Sequence, residues 1–178
     1  MAVDHVKTTQ ITNFDATPRL VPTAGAGAPA LVNYNEGYTT AVASSSADAT
    51  YQLVRLPSTA KVKEIFFESE AQGAGKFDLG VYYATDGSSP LAVSSLLAAA
   101  AIDQDFFASV IDCASAVART NVVNESTTNT LDKRSMPLWQ ALGLTTDPGG
   151  NFDIVATVKT TAVTTGTGKF GIGVIWTN

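Results

Sequence analysis

The 178-residue chain predicts an all-β protein: an antiparallel β-sandwich of jelly-roll-like type, with one or two short helices and an extended N-terminal arm. Three runs carry that prediction. In Lys76–Tyr83, Phe77, Leu79, Val81 and Tyr83 alternate with Lys76, Asp78, Gly80 and Tyr82. Phe152, Ile154, Ala156 and Val158 alternate in the same way, as do Phe170, Ile172, Val174 and Trp176. Successive side chains of a strand point to opposite faces, so each run marks a strand with one apolar face.

Residues 1–48 are rich in Thr and Ala and contain the breaker cluster from Pro22 to Pro29, with Gly25 and Gly27 inside it. They read as an extended arm ahead of a sandwich domain at 49–178. Small residues and prolines bury too little apolar area to offset the cost of ordering the backbone, unless the arm lies on another surface. The competing reading is a pair of edge strands, around Gln10–Phe14 and Ala30–Tyr34, joined by a long loop.

From residue 50 the strands come in quick succession. Tyr51–Leu56 ends at Pro57, Lys61–Glu68 follows the Pro57-Ser58-Thr59 turn, and Gln72-Gly73-Ala74-Gly75 leads into Lys76–Tyr83. Gly and Pro supply the turns, and a meander or part of a jelly roll fits. Alternation slips in Lys61–Glu68 between Val62 and the pair Ile65 and Phe67, with Phe66 on the other face, a sign of a bulge or of two covered faces.

Leu91–Ala118 is Ala-rich and poor in β-branched residues, and a helical element is expected there. Asp103 would cap it, with Phe106, Phe107, Val110 and Ile111 on one face. A buried extended segment is the competitor. Ser135–Gly143 reads as a helix of at most two turns: a Ser cap, Pro137 in the first turn and a Gly stop. At the C-terminal end, Thr164–Gly168 is expected to join the last two alternating runs as a hairpin. Gly171 and Gly173, on the polar face of the last run, leave room for another backbone or side chain. There is no fixed-period repeat of the kind that marks a solenoid or propeller.

Hydrophobic residues make up 45% of the chain and charged residues only 15%. A polar but weakly charged surface suits a subunit that lies against neighbours. The net charge of −5 and the scattered Lys and Arg argue against nucleic acid, whose binding rests on cations displacing counterions. Cys113 is the only cysteine, so an intrachain disulfide and a Cys-rich zinc site are excluded. The Met1–Gln10 segment has no apolar stretch of signal-peptide length, and Leu96–Ile102 is far shorter than the ~20 residues that span a bilayer. A soluble protein without a membrane partner is expected.

No catalytic, cofactor-binding or metal residue emerges. His5 is the only histidine, at the end of the chain, where no third group would orient it as a base. Glu64, Glu68 and Glu70 share a strand and read as a solvated strand end rather than an acid/base pair or calcium site. Asp103, Asp105 and Asp112 lack the glycine and terminal Glu of a calcium loop. The acceptor pattern Asn124-Glu125-Ser126 carries no weight without a secretory route. Gly73-Ala74-Gly75 and the Gly25/Gly27 pair read as turns and not phosphate loops, since neither lies between a strand and a helix with a following Lys-Ser/Thr. Exposed aromatics make sugar platforms and protein anchors alike, and Tyr34, Tyr38 and Tyr82 are the candidates for an interaction surface. Trp139 and Trp176 sit on apolar faces and are assigned to the core.

Several short motifs carry a resemblance: Leu53–Val62, Phe77–Tyr83, Asp105–Ala108, Leu138–Gly143 and Phe152–Ile154. Over residues 50–178 the chain resembles small structural proteins of tailed bacteriophages. That resemblance implies a non-enzymatic virion component, of the kind that decorates or cements the outer capsid by bridging neighbouring major capsid protein subunits, often as a homotrimer. The variants within reach are a tail- or fibre-associated module that binds host glycans and a minor head-tail joining protein.

Overall fold

The computed structural model describes residues 5–7, 11–12, 15–16, 32–43, 45–84, 101–159 and 168–178. The strands are β1 (His5–Lys7), β2 (Asn33–Thr40), β3 (Thr50–Pro57), β4 (Lys61–Ser69), β5 (Lys76–Tyr83), β6 (Ala101–Asp112), β7 (Val117–Asn121), β8 (Asn151–Val158) and β9 (Lys169–Thr177). They form two sheets, ordered β1-β3-β8-β5-β6 and β2-β9-β4-β7. Every pairing is antiparallel except that of β1 with β3. The chain crosses between the sheets at each step from β2 to β5, then again from β6 to β7, β8 and β9. This is a jelly-roll-like sandwich.

Apolar alternation decides which side of each strand meets the other sheet. Phe77, Leu79 and Val81 of β5, Ile154 and Ala156 of β8, and Phe170, Ile172 and Val174 of β9 all enter one core. At one end of that core, Phe170 stacks on Phe77 with ring centres 4.8 Å apart and meets Tyr51 edge-on at 5.1 Å. Burying such a ring contributes about 1.5–3 kcal/mol, and the ring contacts add about 0.5–1.5 kcal/mol.

The meander reading of β3, β4 and β5 gives way to the jelly-roll one: β4 lies in the sheet opposite β3 and β5. The expected C-terminal hairpin is not formed either, since β8 pairs with β3 and β5 while β9 pairs with β2 and β4. Alternation specifies an inward face and not a partner, and two inward faces can belong to opposite sheets. The turn at 164–167 lies outside the described residues. The slip in β4 is a register shift between Val62 and Glu64 against β9.

The helix expected over Asp103–Ile111 is instead strand β6. Against β5, Phe77 pairs with Ile111 and Leu79 with Ala108, so Ser109 and Val110 together oppose Asp78. That bulge inserts one residue into the alternation and counterfeits helical spacing. Val110 adopts φ 55°, costly for a β-branched residue, and its N–H is held by Asp78 Oδ1 at 2.8 Å. The rest of that Ala-rich stretch, 91–100, lies outside the described residues.

The short helix expected within Ser135–Gly143 forms as one turn, without the Ser cap. Lys133–Ser135 is a 3-10 turn, and the helix proper is the single turn Leu138–Ala141, with Pro137 and not Ser135 at its start. Gly143 ends it at φ 80°, as a glycine stop should. Backbone bonds from Leu138 to Ala60 O (2.8 Å) and from Trp139 to Ser58 O (3.2 Å) seat the turn over the end of the core.

β1 and β2 both fall within residues 1–48. β2 pairs with β9 along its whole length, so the sandwich begins before residue 49. Of the edge strand expected at Gln10–Phe14, Ile11 and Thr12 are helical. The Pro22–Pro29 cluster lies outside the described residues.

Candidate interaction surface

The sheets differ in what happens on the face turned away from the core. On the β1-β3-β8-β5-β6 sheet, that face carries Gln52, Arg55, Asp78, Asp153 and Thr157, all buried. Asp153 and Arg55 oppose each other in register, and the guanidinium grips the carboxylate twice, Nε to Oδ1 at 2.6 Å and Nη2 to Oδ2 at 2.8 Å. Gln52 donates a third bond to Asp153 at 2.9 Å. Arg55 also reaches Asp15 at 2.8 Å, which ties the N-terminal stretch to this sheet. Burial pushes the Asp15 carboxyl up, but bonds from Lys7 and Arg55 and the charges of both outweigh it, and it is held below the ordinary 3.8. Asp78 pairs with Lys159 at 2.8 Å, and that bond raises the Lys159 ammonium above its usual range.

Tyr82 belongs to this buried layer. It is fully enclosed, and its hydroxyl shares a 2.8 Å hydrogen bond with Thr157 Oγ1. Its assignment to an interaction surface is therefore corrected. The polar face of β5 is covered, and alternation alone does not reveal a cover.

The outer face of the β2-β9-β4-β7 sheet is open. Its cross-strand rows are Tyr34–Ile175–Glu64, Glu36–Gly173–Phe66 and Tyr38–Gly171–Glu68. Tyr34 and Tyr38 are 47% and 46% exposed, among the few large hydrophobics that reach solvent. Both hydroxyls donate to Glu36 Oε2, at 3.0 and 3.2 Å. The two glycines make room for them: a Cβ on Gly171 would stand 2.5 Å from Tyr38 Cδ1, and one on Gly173 2.5 Å from the Tyr34 hydroxyl. The Arg119 guanidinium lies 4.5 Å from the centre of the Phe66 ring. Desolvation, then the charges of Glu36 and Glu68 and bonding to them, push the Tyr38 hydroxyl up to about 12. Tyr34 is raised by desolvation and by Glu36, against an opposing pull from Arg119. Beside Tyr38 opens a shallow pocket of about 320 Å³, lined by Glu68, Glu70, Val117 and Lys169 among others.

The room that Gly171 and Gly173 leave was legible in the sequence. The parts played by Glu36, Phe66 and Arg119 were not, because each depends on which strands lie side by side.

Glu70 accepts the Lys169 backbone N–H at 2.7 Å. Asp103 and Asp105 lie together, and the Asp103 carboxyl is raised by burial and by its neighbour. Cys113 is buried and its thiol is pushed up to about 11 by desolvation, which makes it a poor nucleophile. Trp139 and Trp176 are partly buried against the core, with Trp176 Nε1 donating to Asn35 at 2.8 Å. Among the described residues no group of three or more His, Cys, Asp or Glu could hold a metal, and no helix is long and apolar enough to cross a membrane.

No protein-family model matches the chain, and no curated protein does. Two solved structures do. A chain in the capsid of Ralstonia phage GP4 is similar over 98% of this chain and 97% of its own length, with a TM-score of 0.63 and 12% identity. One in the capsid asymmetric unit of cyanophage Pam1 covers 90% of this chain and 94% of its own, with a TM-score of 0.45 and 16% identity. At 12% identity, the likeness to the Ralstonia phage chain is one of fold, a β-sandwich matched from end to end.

Proposed function

We propose that this protein is a virion structural component, without enzymatic activity, that binds the exterior of a bacteriophage capsid and stabilises it by bridging major capsid subunits. The observation that carries the reading is the end-to-end match in fold to a chain of the Ralstonia phage capsid. The match spans 98% of this chain and 97% of the other. The net charge of −5 suits an outward position better than one facing packaged DNA. The proposal includes a homotrimer. A protein that binds the assembled shell and not its free subunits shifts the equilibrium toward assembly, and that linkage is the stabilising mechanism.

The test mixes purified protein with expanded capsids and counts bound copies after sedimentation. Saturation at a fixed number per capsid, with added resistance to heat, is the expected result. Absence of binding, with the protein found instead in purified tails, overturns the capsid reading in favour of a tail or glycan-binding role. Sedimentation of the free protein reads the oligomer directly.

A further inference from the structure

We propose that the outer face of the β2-β9-β4-β7 sheet receives an arginine or lysine side chain presented by a protein partner, held between Tyr38, Glu36 and Glu68. The inference deepens the proposed function and rests on it only for the partner's identity, a basic segment of the capsid subunit.

The chemistry of the face selects the occupant. Tyr34 and Tyr38 expose rings next to carboxylates, and the side-chain-free positions Gly171 and Gly173 let those rings lie against the sheet. Rings attract cations through their faces, and carboxylates attract them by charge. Within 4 Å, no described cation pairs with Glu36 or Glu68. Glu36 is oriented by two tyrosine hydroxyls, which cannot neutralise it. Desolvation first, and then the charges of Glu36 and Glu68, raise the Tyr38 hydroxyl.

The chain itself shows what such a site accepts. On the neighbouring part of the face, Arg119 places its guanidinium over Phe66 and interacts with the Tyr34 hydroxyl. Tyr38 and Glu68 repeat the pairing of ring and polar oxygen, and beside them lies the open pocket of about 320 Å³, large enough for one long side chain. Lys169 and Arg119 leave the three carboxylates Glu36, Glu68 and Glu70 in excess. The same face of a second copy is a poor occupant, since it carries the same excess of carboxylates and the two faces would repel.

Full-length protein is titrated with the blocked peptide Gly-Arg-Gly, with Gly-Glu-Gly and with glucose, following backbone amide NMR shifts. The arginine peptide is expected to move Tyr38, Glu68, Gly171 and Gly173 in a salt-sensitive manner, and E36Q/E68Q to weaken the response about five- to tenfold. No shift at these residues, an equal response to the glutamate peptide, or a response to glucose alone overturns the proposal. In a second arm, E36Q/E68Q is mixed with expanded capsids. Weaker binding supports the inference. Undiminished binding refutes it while leaving capsid decoration standing, whereas a parent protein that takes the arginine peptide but no capsid refutes decoration and leaves the cation site standing.

Discussion

The two sheets share a core and treat their other faces in opposite ways. Behind β3, β8 and β5 lies a buried polar layer, with Arg55 and Asp153 at its centre and Tyr82 locked to Thr157. Over β2, β9 and β4, Tyr34 and Tyr38 meet solvent above two glycines. The first arrangement specifies structure: a desolvated ion pair contributes little net stability when intact, yet it penalises any packing that parts its members. The second leaves side chains free to contact a neighbour. Residues of one type therefore do different work, and tyrosine is the clearest case.

The largest contrast comes from removing an arginine on each side. Arg55→Ala removes the guanidinium that grips buried Asp153 twice and should cost about 3–5 kcal/mol in urea unfolding, whereas Arg119→Ala on the open face should cost less than about 1 kcal/mol. Similar losses in the two variants would erase the distinction between the faces.

Next come the glycines. A Cβ on Gly80 would stand 2.2 Å from the backbone oxygens of Asp103 and Gln104, so β6 must shift, and Gly80→Ala is expected to destabilise by about 1–3 kcal/mol. The three atoms nearest a Cβ on Gly173 all belong to Tyr34, whose side chain can swing into solvent, so Gly173→Ala should cost less than about 1 kcal/mol. A Tyr34 whose NMR signals stay unmoved in Gly173→Ala would contradict the close seating of that ring.

The tyrosines sharpen the comparison without changing volume. Tyr82→Phe strands the Thr157 hydroxyl and should lower stability by about 1 kcal/mol, while Tyr38→Phe should leave it within about 0.5 kcal/mol. Equal midpoints for the two variants would mean that the Tyr82 hydrogen bond contributes nothing.

The smallest effect is one of pH. Asp15 has its carboxyl pKa depressed in the folded state, so its contribution is present above the unfolded value near 3.8 and is lost as pH falls below that toward the folded one. Asp15→Asn should flatten this last acid-induced fall in stability, measured by urea midpoints between pH 5 and pH 2. A parent and variant that decline in parallel would show that the Lys7–Asp15–Arg55 bridge is not linked to folding.

Much of the sandwich was legible in the residues alone. Period-two alternation marked β5, β8 and β9 and their inward faces, turn residues bounded β3 and β4, and Gly143 marked the end of the short helix, because these signals act within a few residues. β6 was misread because a bulge at Ser109 and Val110 is created by pairing with β5 and leaves in the sequence only a broken alternation. Of the candidate surface, Tyr34, Tyr38 and the space over Gly171 and Gly173 were visible. Glu36, Phe66 and Arg119 joined them only through the neighbouring of β2, β9, β4 and β7.

The sequence by itself thus determined that this is a β-protein and which residues of β5, β8 and β9 face its core. The tertiary structure decided which sheet each strand joins and which polar face is covered, and so that Tyr82 is interior while Tyr38 is surface. The physical reason is range: a strand's pleat is set by adjacent residues, but its partners and its cover come from segments that can lie more than a hundred residues away, whose pairing is selected by the energy of the whole sandwich.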